Sequence, residues 1–443
     1  MAKISPLLFA RFLLFAPGGL AGLIVDVANA DNVKQTAQSV AQDLMSYYTG
    51  AIPGILPEDN YYWYTGGMLW NHMLDYRART GNTSWDETIR TGLQFQTGSN
   101  DDYLPANWSL TIGNDDQAGW ALAALTAAQT DLESPPADGT QWVDLAKSVF
   151  DEQSSDGRRA QTGDCEGALR WQIFSSSNGY NYISSAANGA YFNLGARLAS
   201  FESNKTRADL AKDTYELMTG MGIIDDDFNV YDGISLPDCD AINKRQWTYN
   251  AGLFIEGAAY MYNFTNDDTW KTRLDGLVSR SMEVFFPDGV AEERACEPVG
   301  TCEFGTRGFA DYRAYLHRGL ASAMKLAPYT ADTILPTLQS SAKAAVAQCT
   351  AGDNGRMCGA SWTNGTNDGE TNALSEMSVL AALNSIITTE AEINSTDSGG
   401  NGTSTGGTDD ASSSDNPESA GIRAGISVAA VMGALVVGLM ALS

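Results

Sequence analysis

The chain has 443 residues, with 27 Lys and Arg against 54 Asp and Glu, for a formal net charge of −27. Such a surface lacks the electrostatic footprint that nucleic acid requires, and it is repelled by anionic lipid head groups. An uncharged glycan is a compatible partner, although acidity by itself mostly reports solubility.

The first stretch reads as a secretory signal, 1–30. Lys3 and Arg11 are basic, Leu13 to Val25 is mostly apolar, and Ala28-Asn29-Ala30 is a small-residue cleavage site, so the mature chain is expected to begin near Asp31, a short transmembrane anchor being the alternative.

Residues 31–390 are expected to form one folded body. No Pro/Gly/Ser linker interrupts them. Polar turns of similar flavour recur at Arg79 to Thr83, Pro135 to Gly139, Glu202 to Thr206, Thr265 to Thr269 and Pro328 to Asp332. Their spacing is roughly 55–70 residues, longer than the common helical repeats. Before most of these turns lies a helix rich in small and apolar residues, as at Ala187 to Leu198, Tyr249 to Tyr262 and Ala314 to Leu326. After them comes an amphipathic helix, as at Trp142 to Gln153, Ala208 to Met221 and Trp270 to Phe285. Val33 to Tyr48 and Glu376 to Ile387 complete about six helical hairpins.

A helix that is apolar nearly all round is buried, and one with a polar face lies outside. The fold class predicted is therefore all-α, an (α/α)6 toroid. An open α-solenoid is the alternative, but the terminal helices show no polar capping repeat. In a closed toroid the loops from outer to inner helices gather at one face. The long ones span 50–61, 96–114, 153–185, 223–246, 286–308 and 350–371, and long loops in a compact domain are usually functional.

One of these loops ends in Gly113-Asn114-Asp115-Asp116-Gln117, followed by an Ala- and Leu-rich run without Pro. The two aspartates then occupy the first turn of a buried helix. Capping explains most such residues, because a carboxylate accepts orphan N–H bonds and suits the helix dipole. The other explanation is a glycosidase pair. Retaining glycoside hydrolysis needs two carboxyl groups about 5–5.5 Å apart, one as nucleophile and one as proton donor. Neighbouring residues can supply that spacing, since their Cα atoms lie about 3.8 Å apart and the side chains diverge.

Aromatic and polar residues recur at the loop-to-helix junctions. Candidate sugar contacts are Tyr62 and Trp63; Asp101, Asp102 and Tyr103; Asn114 and Gln117; Arg170, Trp171 and Gln172; and Trp247, Tyr249 and Asn250. Aromatic faces stack on sugar rings, while amides and carboxylates bind hydroxyls. Ordinary packing is the alternative for any one of them.

Other chemistry finds little support. Asp225-Asp226-Asp227 lacks the Gly and Glu positions of an EF-hand loop and reads as an exposed acidic turn. The only histidines, His72 and His317, sit in helical stretches as structural residues, and no Ser lies in a nucleophile elbow. No cofactor or metal is expected. The cysteines are Cys165, Cys239, Cys296, Cys302, Cys349 and Cys358, without a C-x-x-C. Fifteen pairings exist on paper; short-loop closure favours Cys296–Cys302 and Cys349–Cys358, leaving Cys165–Cys239. Sequons at Asn82, Asn107, Asn204, Asn263, Asn364, Asn394 and Asn401 suit an extracellular chain.

The end of the chain matches a glycosylphosphatidylinositol (GPI) signal. A Ser/Gly/Thr-rich segment (391–416) precedes an apolar tail within 417–443, and the spacing favours attachment at Ser414. A C-terminal membrane helix is the alternative.

The motifs together carry a resemblance. G-N-D-D-Q at 113–117, G-A-L-R-W-Q-I-F at 167–174, N-V-Y-D-G at 229–233, N-K-R-Q-W-T-Y-N-A-G at 243–252, A-C-E-P-V-G-T-C at 295–302 and M-C-G-A-S-W at 357–362 resemble glycoside hydrolase family 76, in its fungal GPI-anchored cell-wall branch. The resemblance spans about residues 40–390. It implies an (α/α)6 fold and retaining action on α-1,6-linked mannose, with Asp115 as nucleophile and Asp116 as general acid/base. It also implies an α-mannan or GPI-core glycan donor, a β-glucan acceptor for transglycosylation, and a monomer held to the membrane only by its anchor. Gly119 departs from the aromatic expected before Trp120. A non-catalytic glycan-binding wall protein, keeping the aspartates only as caps, is the rival expectation. An inverting (α/α)6 hydrolase is another.

Overall fold

Small and apolar residues dominate alternate helices, and those helices are the ones that form the interior. The computed structural model describes residues 22–161 and 163–387. The described residues include twelve α-helices: α1 (Ala30–Ser46), α2 (Tyr64–Thr80), α3 (Asp86–Phe95), α4 (Asn114–Gln129), α5 (Trp142–Gln153), α6 (Ser185–Glu202), α7 (Lys205–Gly220), α8 (Thr248–Thr265), α9 (Asp268–Phe285), α10 (Tyr312–Leu326), α11 (Ala331–Ala347) and α12 (Ala373–Ile386). The even-numbered helices pack in sequence, α2 on α4, α4 on α6, α6 on α8, α8 on α10 and α10 on α12. Helix α12 then packs on α2, so the ring closes and the (α/α)6 toroid holds over the open solenoid. The odd-numbered helices lie outside. Helix α5 packs on α4, α7 on α6 and α9 on α8, while α1 packs on α12 and α11 on both α10 and α12.

Helix α12 is buried from Ala373 to Ile386, and α4 from Gln117 to Ala127. Helices α8 and α10 approach backbone to backbone. A Cβ on Gly252 would lie 2.4 Å from the Tyr315 carbonyl, and one on Gly319 would lie 2.4 Å from the Gly252 carbonyl oxygen. Any larger residue there would force the two helices apart.

The inner ring also buries charge. Arg318 of α10 donates to both Glu256 oxygens at 2.8 Å and to Asp75 Oδ2 at 2.7 Å. Its Nη2 reaches Thr126 Oγ1 at 3.0 Å, and Arg197 Nη2 donates to the same hydroxyl at 2.7 Å. Asn193 Nδ2 adds a 2.8 Å bond to Glu256 Oε2. Five inner helices, α2, α4, α6, α8 and α10, are thus tied across the axis. The Arg318 charge, acting against desolvation by burial, leaves Asp75 and Glu256 below the ordinary carboxylate range.

Short strands interrupt the all-α reading. β1 (Tyr182–Ser184), β2 (Gly233–Ser235) and β3 (Ile242–Asn243) form an antiparallel sheet, with Ile183 opposite Ile234 and Ile234 opposite Ile242. β4 (Cys349–Ala351) pairs with β5 (Met357–Cys358), where Cys349 faces Cys358. Runs of two or three residues are too short to carry an alternating pattern. The disulfides join Cys165 to Cys239, Cys296 to Cys302 and Cys349 to Cys358, as expected.

The packed body reaches back beyond Asp31. Leu23 N donates to Cys349 O at 3.0 Å, Val25 is buried, and Asn29 caps α1 by accepting from Asn32 N at 3.1 Å. Of the sequons, Asn107, Asn263 and Asn364 are exposed, while Asn82 and Asn204 are half-buried. Asn394, Asn401, Ser414 and the segments 391–416 and 417–443 lie outside the described residues. Asp225 accepts from Asn229 and Tyr231 inside its own turn, with Asp226 and Asp227 exposed. His72 and His317 are fully buried, and burial lowers both to about 4. No helix among the described residues is long and apolar enough to cross a membrane.

Candidate active site

Helix α4 begins in a turn that the neighbouring loop holds from outside. Gly113 is its N-cap, and Asn114 N donates to Trp171 O at 2.8 Å. Asn114 Nδ2 donates to Arg170 O at 2.9 Å, and Arg158 Nη1 donates to Asn114 Oδ1 at 2.7 Å. Gln153 Nε2 adds a 2.7 Å bond to Asn114 O. The turn that presents the aspartates is therefore fixed by four residues, three in the α5–α6 connection and Gln153 at the end of α5.

Asp115 and Asp116 follow in the first turn, both half-buried. Asp116 Oδ2 accepts from Gly113 N at 2.7 Å, which is a capping bond. Asp115 Oδ2 instead accepts from the Trp171 indole Nε1 at 3.0 Å, a donor outside the helix. Its Oδ1 is buried without a hydrogen-bond partner. Both carboxyl groups converge on Gly113. A Cβ there would lie 2.4 Å from Asp115 Oδ1 and 3.4 Å from Asp116 Oδ2. Only a glycine N-cap leaves room for the pair as placed.

Burial pushes both carboxyls above the ordinary range, and the charge of Asp116 pushes Asp115 further. Two such groups titrate as a unit, with a raised affinity for a proton. Capping alone does not account for that. A cap is at its strongest as a fully ionised carboxylate.

Four tyrosines surround the pair. Tyr249 packs edge-on to Tyr315, with centroids 4.4 Å apart, and stacks on Tyr312 at 5.4 Å. Burial, with nearby carboxylates adding, holds the hydroxyls of Tyr64, Tyr249, Tyr312 and Tyr315 above their usual range, so all stay neutral donors. Asp311, at the N-cap of α10, is a third carboxyl beside these tyrosines. It is wholly buried, neither oxygen has a partner, and burial raises it to about 7. Tyr312, Tyr315 and Asp311 escaped the sequence reading. The signal available was A-D-Y-R-A-Y at 310–315, a carboxyl and two aromatics at the start of a helix, as at the other junctions.

The structure sorts the remaining candidates. Tyr62 is exposed, stacks on Tyr64 with centroids 6.1 Å apart, and carries the Arg307 guanidinium 5.1 Å over its ring. Trp171 is exposed at the rim, and Tyr249 faces the pair. Trp247 packs on Phe309 and Tyr312. Arg170 turns to Tyr180, donating to its carbonyl at 3.2 Å, and Gln172 bridges to Gly113. Asp101 accepts from Thr140 Oγ1 at 2.6 Å, away from the pair.

Six candidates are corrected, because burial puts them out of a ligand's reach. Trp63 stacks on Trp120 and donates to Gln96 Oε1 at 2.8 Å. Tyr103 stacks on the other side of Trp120. Gln117 donates to Asp102 O at 2.7 Å and to Glu152 Oε2 at 2.9 Å, which ties Asp102 into the same buried network. Asn114 and Asn250 are buried at the starts of α4 and α8. Their types suited sugar binding, but the polar atoms of Trp63, Asn114 and Gln117 are spent on neighbouring residues. Among the described residues no group of three or more His, Cys, Asp or Glu is placed to hold a metal ion.

Comparison with known proteins agrees with this geometry. The family model of glycosyl hydrolase family 76 matches residues 32–398. A putative mannan endo-1,6-alpha-mannosidase of Schizosaccharomyces pombe is 39% identical over 367 residues, covering 81% of each chain. The mannan endo-1,6-alpha-mannosidase DCW1 of Saccharomyces cerevisiae is 39% identical over 377 residues, covering 84% of this chain and 82% of the relative. The crystal structure of Dfg5 from Chaetomium thermophilum, in complex with glucosamine, superposes with a TM-score of 0.78 at 39% identity, covering 82% of this chain and 92% of that one. An alpha-1,6-mannanase of Salegentibacter sp. HEL1_6 shares the fold at 14% identity, with a TM-score of 0.64 over 80% of this chain and 99% of that one.

Proposed function

Because this chain belongs to glycosyl hydrolase family 76 and is a glycoside hydrolase, we propose that it cleaves α-1,6-linked mannosides with retention, using Asp115 and Asp116. The observation that carries this is the pair itself: two adjacent, half-buried carboxyls with raised proton affinity, facing a wall of neutral tyrosines. The relatives' names supply the bond, mannan α-1,6.

In the first step the Asp115 carboxylate attacks the anomeric carbon. The glycosidic C–O bond breaks, and the Asp116 proton goes to the departing oxygen. In the second step Asp116 takes a proton from the acceptor hydroxyl, whose oxygen displaces Asp115 from the anomeric carbon. Water as acceptor gives hydrolysis, and a sugar hydroxyl gives transfer. The exposed Tyr62 and Trp171 rings offer platforms for sugar units beyond the reacting one. A GPI-core or mannan donor and a wall β-glucan acceptor fit an acidic secreted protein with neutral platforms. A GPI anchor at Ser414 and a monomeric body of residues 31–390 complete this reading. The packing of residues 22–30 against the body supports a cleavage before Gly22, after the small residues Gly19-Leu20-Ala21, as an alternative to cleavage at Ala30. N-terminal sequencing of the secreted protein decides between that site and Ala30.

A second allocation of roles has an observation in its favour. The Gly113 N–H bond and the helix N-terminus favour charge on Asp116, which would make Asp116 the nucleophile. Azide rescue separates the two. With Asp116 as acid/base, azide restores turnover of Asp116→Ala and yields the mannosyl azide of retained configuration. Rescue of Asp116→Ala with inverted configuration instead assigns it as nucleophile. No loss of activity in either alanine variant would sink the reading as a whole.

A further inference from the structure

The carboxyl pair has one proton to place, and the residue that biases the choice lies outside the helix. We infer that Trp171 is a positioning residue, whose indole N–H holds the negative charge on Asp115 so that Asp116 keeps the proton. This rests on Asp115 and Asp116 being the reacting pair.

The indole N–H can only donate, so its bond to Asp115 Oδ2 at 3.0 Å favours the ionised form of that carboxyl. Gly113 N makes the competing bond to Asp116 at 2.7 Å, and the α4 N-terminus acts on both. Without Trp171 the balance would rest with Asp116. The indole does not swing freely. Its backbone N donates to Tyr182 O at 2.8 Å, and its carbonyl accepts from Asn114 N at 2.8 Å. Tyr182 meets the ring edge-on at 6.3 Å and is itself fixed by donating to Asp232 Oδ2 at 2.5 Å. On the other side lies Gly179, at φ +91°, where a Cβ would stand 2.3 Å from Trp171 Cε3. The ring is held between Tyr182 and Gly179 and remains about one-third exposed. That is more constraint than a sugar platform needs and is what a fixed donor needs.

Burial raises both carboxyls and the charge of Asp116 raises Asp115 further, so the Trp171 bond is the side-chain contact that works against a proton on Asp115. Tyr64, Tyr249, Tyr312 and Tyr315 stay neutral. Asp311, on the α10 side, is buried beside these tyrosines, and burial raises it to about 7. Arg170, beside Trp171, is occupied with Tyr180.

The test removes the N–H and keeps the ring. Trp171→Phe, and position 171 carrying β-(3-benzothienyl)alanine, whose sulfur replaces the N–H in the same outline, are compared with wild type by ¹³C titration of the aspartate carboxyls in the unliganded protein. The expected result is a rise of about one pH unit in the Asp115 titration, and in kinetics a fall of roughly tenfold or more in kcat, with the acid limb of the pH profile moved upward. KM should change little, since an aromatic face remains. An unmoved Asp115 titration in the benzothienyl protein overturns the inference, and so does a change confined to KM. A shift of the alkaline limb instead of the acid limb would mean that Trp171 serves Asp115 as the acid, which also overturns it. The titration needs no substrate, so failure of the mannosidase reading would show separately, as full turnover in Asp115→Asn and Asp116→Asn.

Discussion

Two buried clusters of carboxylates occupy the same ring, and they are treated in opposite ways. Around Arg318, Asp75 and Glu256 are hydrogen-bonded to guanidinium groups and pulled below the ordinary range. At the start of α4, Asp115 and Asp116 have one hydrogen bond each from a neutral donor and are pushed above it. The first arrangement minimises the cost of burying charge by pairing it. The second leaves that cost in place, as expected where a group must change protonation during a reaction. Burial alone therefore does not mark a working carboxyl.

Substitutions should separate the clusters cleanly. The largest effect belongs to the unpaired site: Asp115→Ala should lower mannan turnover by on the order of 10⁴-fold or more while leaving the thermal midpoint unchanged or raised. Activity and melting measured on one preparation check this. Arg318→Met should do the reverse. Stranding Asp75 and Glu256 should cost about 3–5 kcal/mol of unfolding free energy, read by denaturant titration. Gly113→Ala lies between the two. Its Cβ must displace Asp115 Oδ1, so kcat should fall roughly 10- to 100-fold with a stability loss of about 1–3 kcal/mol.

The clusters should also differ in how stability responds to pH. Asp115 and Asp116 hold protons above the value at which the unfolded chain releases them. Between about pH 4 and their raised values the folded chain binds more protons, so their contribution to stability falls as pH rises. Asp75 and Glu256 are depressed, so their contribution is present above about pH 4 and is lost as pH falls through their lowered values. The Asp115→Asn/Asp116→Asn double variant should therefore gain in thermal midpoint over wild type at pH 7 more than at pH 4. A constant difference across that range would break the comparison. The smallest effect is expected far from both clusters, where Asn263→Gln on an exposed helix end should stay within about 0.5 kcal/mol.

The two clusters differed in legibility as well. The helices and their closure could be read because Ala, Gly and Leu recur on alternate segments and long loops separate them. Asp115 and Asp116 stood out as a doublet before an uninterrupted apolar run. The Arg318 network did not, although Glu256 is a lone charge within an apolar helix, and a lone charge in such a setting calls for a partner from another helix. Trp63, Tyr103, Asn114 and Gln117 suited sugar binding by type, yet they face inward. One helical turn decides that direction, and a loop sequence carries no period from which to read it. The strands escaped because two or three residues cannot show alternation. The bond from Trp171 to Asp115 joins residues 56 apart and has no local trace at all.

The most direct test of the central claim follows the first product by ¹H NMR. Wild type, Asp115→Asn and Asp116→Asn proteins would be incubated with α-1,6-mannotetraose, and the anomeric protons recorded before mutarotation. The account predicts that wild type releases the α-anomer first and that both variants release almost none. A β-anomer as first product, or turnover undiminished in either variant, would contradict it.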